Sequence, residues 1–355
     1  MDTLEQLFTL EKQNPNDDTL LSQIAFYYLS NPDGDKELEY FKKAYQINPS
    51  IKNTHNYAFW AYYEYGEDTL ALSLFQELID KNPKSFYPYM AYANLLFKPS
   101  DYSDTANLDK LRNHLDLIIE LYEKALQKFN HTTKNHQLAW IYNNLANFYL
   151  VNNNFEKAKN YYQIALTKLN NYLNDINNKQ IKEACCFVLK NQLKLYIILD
   201  DLENAKKNLA LIQQYEILDN LDIAYLYTLI GDFKTAYQTL NGEFNFHFTW
   251  DWLCYAIWQT DKKVWKNYLN ALVEEKKSII KEYQDDLENC QDDEKADIQE
   301  TIQSHQEDLI QINNYFDTPP TPKLSAKEQC LVDLHYFYKC WLFGCEHCGN
   351  LADDS

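Results

Sequence analysis

Apolar residues recur in steps of three and four along most of this chain, and the stepping itself repeats. Leu21, Ile24, Ala25 and Tyr28 share one helical face. Thirty-four residues on, the same slots hold His55, Ala58, Phe59 and Tyr62, and thirty-four further they hold Tyr89, Tyr92, Ala93 and Leu96. A second stripe, Phe41, Ala44 and Pro49, returns at the same spacing as Phe75, Leu78 and Pro83. Each proline follows a helical run and stops it. The pattern predicts helices in pairs, one pair per repeat, stacked so that each buries the apolar face of the next.

The fourth copy is the clearest. It reads Tyr142-Asn-Asn-Leu-Ala-Asn-Phe-Tyr149, then Asn152-Asn-Asn-Phe-Glu-Lys-Ala-Lys159, then Tyr161-Tyr-Gln-Ile-Ala-Leu166. A large residue, Leu, a small residue and an aromatic occupy the first helix as Tyr142, Leu145, Ala146 and Tyr149. Ala158, Tyr162 and Ala165 occupy the second. This closely resembles the tetratricopeptide repeat (TPR). Weaker copies carry Tyr196, Asp201 to Ala205 and Leu209, then Tyr227, Gly231 to Ala236 and Leu240. The resemblance covers about residues 18 to 245 as six helix pairs. It departs from the family at Glu37 and Ile118, where Ala is usual, and in insertions at 98–107 and 170–179. It implies an all-α protein, a right-handed α-solenoid of TPR-like pairs over residues 1–250.

Beyond residue 250 the pattern changes. The aromatic run from Phe244 to Trp258 predicts a degenerate seventh pair. Leu269, Leu272, Ile280, Tyr283 and Leu287, then Ile298, Ile302, Leu309 and Ile312, predict a long helical hairpin within 251–317, turning near Gln291-Asp-Asp-Glu. Residues 318–355 hold a Pro-rich connector, a helix from Leu324 to Phe343 that caps the solenoid, and a Cys-rich end. That helix is predicted from Leu331, Leu334, Tyr338 and Trp341 on one face.

Charge sharpens this picture. The chain has 355 residues and a formal net charge of −19, with 52 acids against 33 bases, of which Arg112 is the lone arginine. Nucleic-acid binding is thereby disfavoured, because phosphates call for clustered Lys and Arg. Thirteen acids and four lysines fall between 274 and 308, so the hairpin carries −9 of the total. The first residues, Met1-Asp-Thr-Leu-Glu-Gln-Leu, lack the basic and apolar regions of a signal peptide, and no apolar run is long enough for a bilayer. A cytoplasmic location is expected, with no membrane partner.

Candidate chemistry is sparse. No Gly-rich phosphate loop, His-Glu-x-x-His or Gly-x-Ser-x-Gly occurs, and the expectation is a protein that is not an enzyme. Cys345-Glu-His-Cys348-Gly resembles half of a zinc knuckle, with Cys340 as a further thiolate, but the second ligand pair is irregular. Zinc is therefore a minor alternative to unmetallated cysteines.

The repeat carries the binding argument instead. TPR arrays line their concave groove with the first helix of each pair. One such slot reads Phe26, Trp60, Asn94, Asn147, Lys194 and Tyr225 along the six copies; the slot one turn earlier includes Asn56, Asn143 and Lys190. Asn amides suit an extended peptide backbone, and Lys190 with Lys194 suits a carboxylate. The leading expectation is a scaffold that binds a partner protein or extended peptide in this groove. The alternatives are an acidic immunity-type protein that masks a basic toxin, resting on the charge, and a peptide-sensing TPR regulator.

Overall fold

The computed structural model describes residues 4–30, 36–97, 105–129, 137–173, 179–240, 251–289, 295–318, 321–337 and 340–345. Seventeen helices and no strands occur among them. By contacts the chain divides into two units, 1–188 with 332–355, and 189–331. This partition cuts a helix, and it differs in kind from the change of pattern at residue 250.

The first unit opens with α1 (Leu4–Gln13), which packs on α2 (Asp18–Ser30). Pairs follow in order: α2 with α3 (Glu37–Ile47), α4 (Ile51–Tyr63) with α5 (Asp68–Asp80), α6 (Tyr87–Phe97) with α7 (Thr105–Lys128), and α8 (Gln137–Val151) with α9 (Phe155–Leu173). The unit also takes the first part of α10 (Lys179–Ile198). The predicted slots form its interior. Ile24, Ala25, Ala58, Ala93, Leu145, Ala146, Ala158, Tyr162 and Ala165 are all fully enclosed. Small residues at these crossings bring helix axes close enough for the neighbouring aromatics to interlock.

The turns explain why the pairs close. Gly66, Asn153, Asp200 and Gly231 each stand two residues before the second helix of a pair, and each has positive φ. At three of them the Schellman pattern is complete. Asn154 N–H donates to Tyr149 O and Asn153 N–H to Leu150 O. Asp201 with Tyr196 and Asp200 with Ile197 repeat it, as do Asp232 with Tyr227 and Gly231 with Thr228. Gly, Asn and Asp are the residues that enter the left-handed region most readily. The turn therefore recurs wherever the sequence supplies one of them at this position.

The second unit continues from α10 through α11 (Leu202–Gln214), α12 (Asn220–Ile230), α13 (Phe233–Leu240) and α14 (Asp251–Thr260) to α15 (Lys262–Asn289) and α16 (Lys295–Asn314). Asn208 ties α11 to α10 by donating to Gln192 Oε1 at 3.0 Å. Its core gathers Leu253, Ile257, Trp265, Leu269 and Ile312, with Trp265 only 1% exposed. The hairpin is antiparallel: Trp265 Nε1 donates to Tyr315 O, while nearer its tip Lys276 pairs with Asp308 at 2.6 Å. The aromatic run at 244–250 and the turn at 290–294 lie outside the described residues.

One expected element is different. The helix predicted from Leu324 to Phe343 is only α17 (Ala326–Val332). The described residues after Asp333 are not helical. Trp341, Leu342 and Phe343 are consecutive and 1–3% exposed, so they are covered on all sides rather than along one stripe. A one-faced capping helix is thereby corrected to a short helix followed by an extended tail.

Candidate functional site

The tail lies along the first helices of the pairs, and the contacts are specific. On α8, Asn144 Nδ2 donates to Phe337 O at 2.7 Å while its Oδ1 accepts Phe337 N–H at 2.8 Å. On α4, Asn56 does the same with Phe343, at 3.1 and 2.9 Å. Each side chain thus reads both polar groups of one backbone residue, as a neighbouring strand would. Phe337 and Phe343 are six positions apart, about 20 Å when extended at ~3.3 Å per step and only ~9 Å in a helix. From α8 through α6 to α4 are two steps of about 10 Å. The described residues on either side of 338–339, none of them helical, meet asparagines of two different pairs.

Further bonds fix this arrangement. Asn143 and Asn147 both donate to His335 O, at 3.1 and 2.8 Å. Tyr162 O–H donates to Asn147 Oδ1, which leaves that amide's nitrogen facing the tail. Asn144 Nδ2 also donates to Tyr122 O–H, whose own proton goes to Asn94 Oδ1. Burial pushes the Tyr122 phenol up, so it stays protonated and keeps both roles. His55 completes the set, its Nε2 lying 2.9 Å from Trp341 O. A carbonyl only accepts, so Nε2 carries the proton. Full burial pushes the imidazole down from 6.5 to about 3, against the smaller opposite effect of that bond.

Rings line the remainder. His335 stacks on Phe187 of α10 at 3.8 Å, and Phe337 on Trp140 of α8 at 5.3 Å with planes 4° apart. Tyr336 meets Phe97 and Phe148. Phe343 sits against Tyr87 and His55. Gly344 then takes φ 76° and turns the chain, with Cys345 N–H reaching Leu342 O.

Three of the residues expected in the groove, Asn56, Asn143 and Asn147, hold the tail directly. Phe26 packs edge-on against Phe41 of its own pair. Trp60 lies beside Tyr63. Asn94 is 2% exposed and accepts from Tyr122. Lys190, Lys194 and Tyr225 belong to the second unit. There Lys190 pairs with Asp222 at 3.3 Å, Lys194 is buried, and Tyr225 packs on the apolar core. The sequence reading passed over Asn144, His55 and Trp140. The available signal was three asparagines within five residues of an otherwise apolar helix, since amides buried there need partners.

Cys340 and Cys345 are half-buried, and Cys348 lies outside the described residues. No group of three or more His, Cys, Asp or Glu able to hold a metal occurs among the described residues. Nor is any described helix long and apolar enough to cross a membrane.

No family model matches the chain, and no curated protein does. Among solved structures it is similar to a circular tandem repeat protein with novel repeat topology and enhanced subunit contact surfaces. The identity is 14%, covering 84% of this chain and 71% of the other, with a TM-score of 0.19. A likeness that weak carries no argument. What stands is the geometry: a helical repeat protein whose first-helix face holds an extended segment by its main chain.

Proposed function

We propose that this chain is a non-enzymatic, TPR-type interaction scaffold whose first-helix groove takes an extended segment of a partner protein. The paired asparagine bonds carry the reading. Asn56 and Asn144 each engage an N–H and a C=O, groups that any peptide offers, while the ring pockets select side chains. The bonds to the tail come from amides and one neutral imidazole. Added salt therefore leaves affinity nearly unchanged, because screening acts on charges.

The test is a selection of random 14-residue displayed peptides on the immobilised full chain, followed by titration. Selected peptides are expected to be rich in aromatics, and to bind at least tenfold more weakly when Asn143→Ala/Asn147→Ala is added to Phe337→Ala, in which the resident tail competes less. Binders indifferent to that double substitution would contradict the groove as the site.

A further inference from the structure

The geometry points to the described tail, residues 333–337 and 340–345, as an internal ligand that occupies the groove until an extended, aromatic-rich protein segment displaces it. This rests on the groove reading above and adds both the class of partner and its regulation. Displacement is favoured by what holds the tail. Main-chain bonds at residues 335, 337, 341 and 343 are open to any extended competitor, since Asn143, Asn144, His55 and Asn56 recognise backbone.

The ring pockets then define the competitor. One aromatic stacks on Trp140 with its predecessor against Phe97, and four residues later an indole lies near Phe86. Two residues beyond that, a ring sits between Tyr87 and His55. The fitting segment is aromatic-aromatic-x-x-x-Trp-x-Phe.

Two further observations separate the tail from a permanent part of the fold. Asn94 Nδ2 and Trp60 Nε1, buried donors at equivalent groove slots in neighbouring repeats, have no acceptor while the tail is in place. A competitor that brings acceptors there gains over the resident segment. The tail also belongs by contacts to the first unit, whereas all of α17 but its last residue, Val332, belongs to the second. Leaving the groove therefore takes one short stretch of chain and no helix of the first unit.

The test is fluorescence anisotropy with a labelled synthetic peptide of residues 332–345, its Cys340 and Cys345 replaced by Ser. It is titrated into three full-length proteins: wild type, Phe337→Ala, and Phe337→Ala with Asn143→Ala/Asn147→Ala added, so that the asparagine effect is read where the resident tail competes least. A tethered tail competes at an effective concentration in the millimolar range, so wild type is expected to bind weakly. Phe337→Ala weakens only the tethered copy, and is expected to bind the peptide at least tenfold more tightly. Trp341→Ala/Phe343→Ala, checked for unchanged helicity, serves as a second weakened tail.

Equal affinity for wild type and both weakened tails, with loss in the asparagine variant, overturns the internal ligand and leaves the groove reading standing. Binding untouched by the asparagine substitutions, or none to any folded variant, overturns both.

Discussion

Replacing Asn144 by Ala removes the most completely bonded side chain of the groove. Its amide donates to Phe337 O and Tyr122 O–H, and accepts from Phe337 N–H and Asn143 Nδ2. The substitution raises the helix propensity of α8, so the scaffold keeps its form and the loss falls on the tail. Two backbone groups of Phe337 lose their partners. A buried orphan costs ~1–3 kcal/mol, but Phe337 is half-buried and water recovers part of this, so about 1 kcal/mol each is the better figure. Some 2 kcal/mol in total corresponds to roughly 30-fold easier local opening, at ~1.4 kcal/mol per tenfold. Hydrogen exchange followed on a fragment covering 333–343 reads this directly. Exposed Asn160 on α9 supplies the control, since Asn160→Ala touches nothing in the groove. Exchange in the Asn144 variant within threefold of wild type would refute the reasoning.

Two other perturbations probe separate parts of the account. His55 is held neutral by burial, with its imidazole at about 3 against 6.5 in the ordinary case. Below pH 6.5 the unfolded chain binds a proton that the folded one refuses. Stability is thus fully present above 6.5 and falls with acid by roughly 1.4 kcal/mol per pH unit, down towards 3. Urea unfolding at pH 7 and pH 5 should show a drop about 2 kcal/mol larger for wild type than for His55→Gln; equal drops would mean that His55 is not buried in the folded chain. At Gly231, where φ is 86° and a Cβ would meet nothing within 4 Å, Gly231→Ala carries only backbone strain. About 1 kcal/mol of destabilisation is expected by thermal or urea unfolding, and a loss above 3 would show a contact missing from this description.

The helix pairs were legible because the repeat writes its packing into small residues. Ala58, Ala93 and Ala146 recur on the first helices of the pairs and are all fully enclosed. The αL turns at Asn153, Asp200 and Gly231 fall on residue types suited to positive φ, but the turns and their shared register emerge only from the folded chain. α1 escaped notice because Leu7 is its one enclosed residue, too little for a stripe. The tail was misread for a physical reason. Leu331, Leu334, Tyr338 and Trp341 do step like a helix, but periodicity reports burial on one side, whereas Trp341, Leu342 and Phe343 are consecutive and all buried. The aromatic run His335-Tyr-Phe-Tyr, with its preference for extended backbone, pointed the other way. Asn56, Asn143 and Asn147, which meet the tail, occupy the aligned slots, whereas Asn144 lies one residue off them.

The seating of the tail is the claim on which the rest depends, and photo-crosslinking tests it most directly. A benzophenone amino acid at position 337 of the full chain, irradiated at low protein concentration, should give an intramolecular link to α8 between Trp140 and Asn144 or to Phe187 of α10. Links confined to other elements, or only between molecules, would contradict the account.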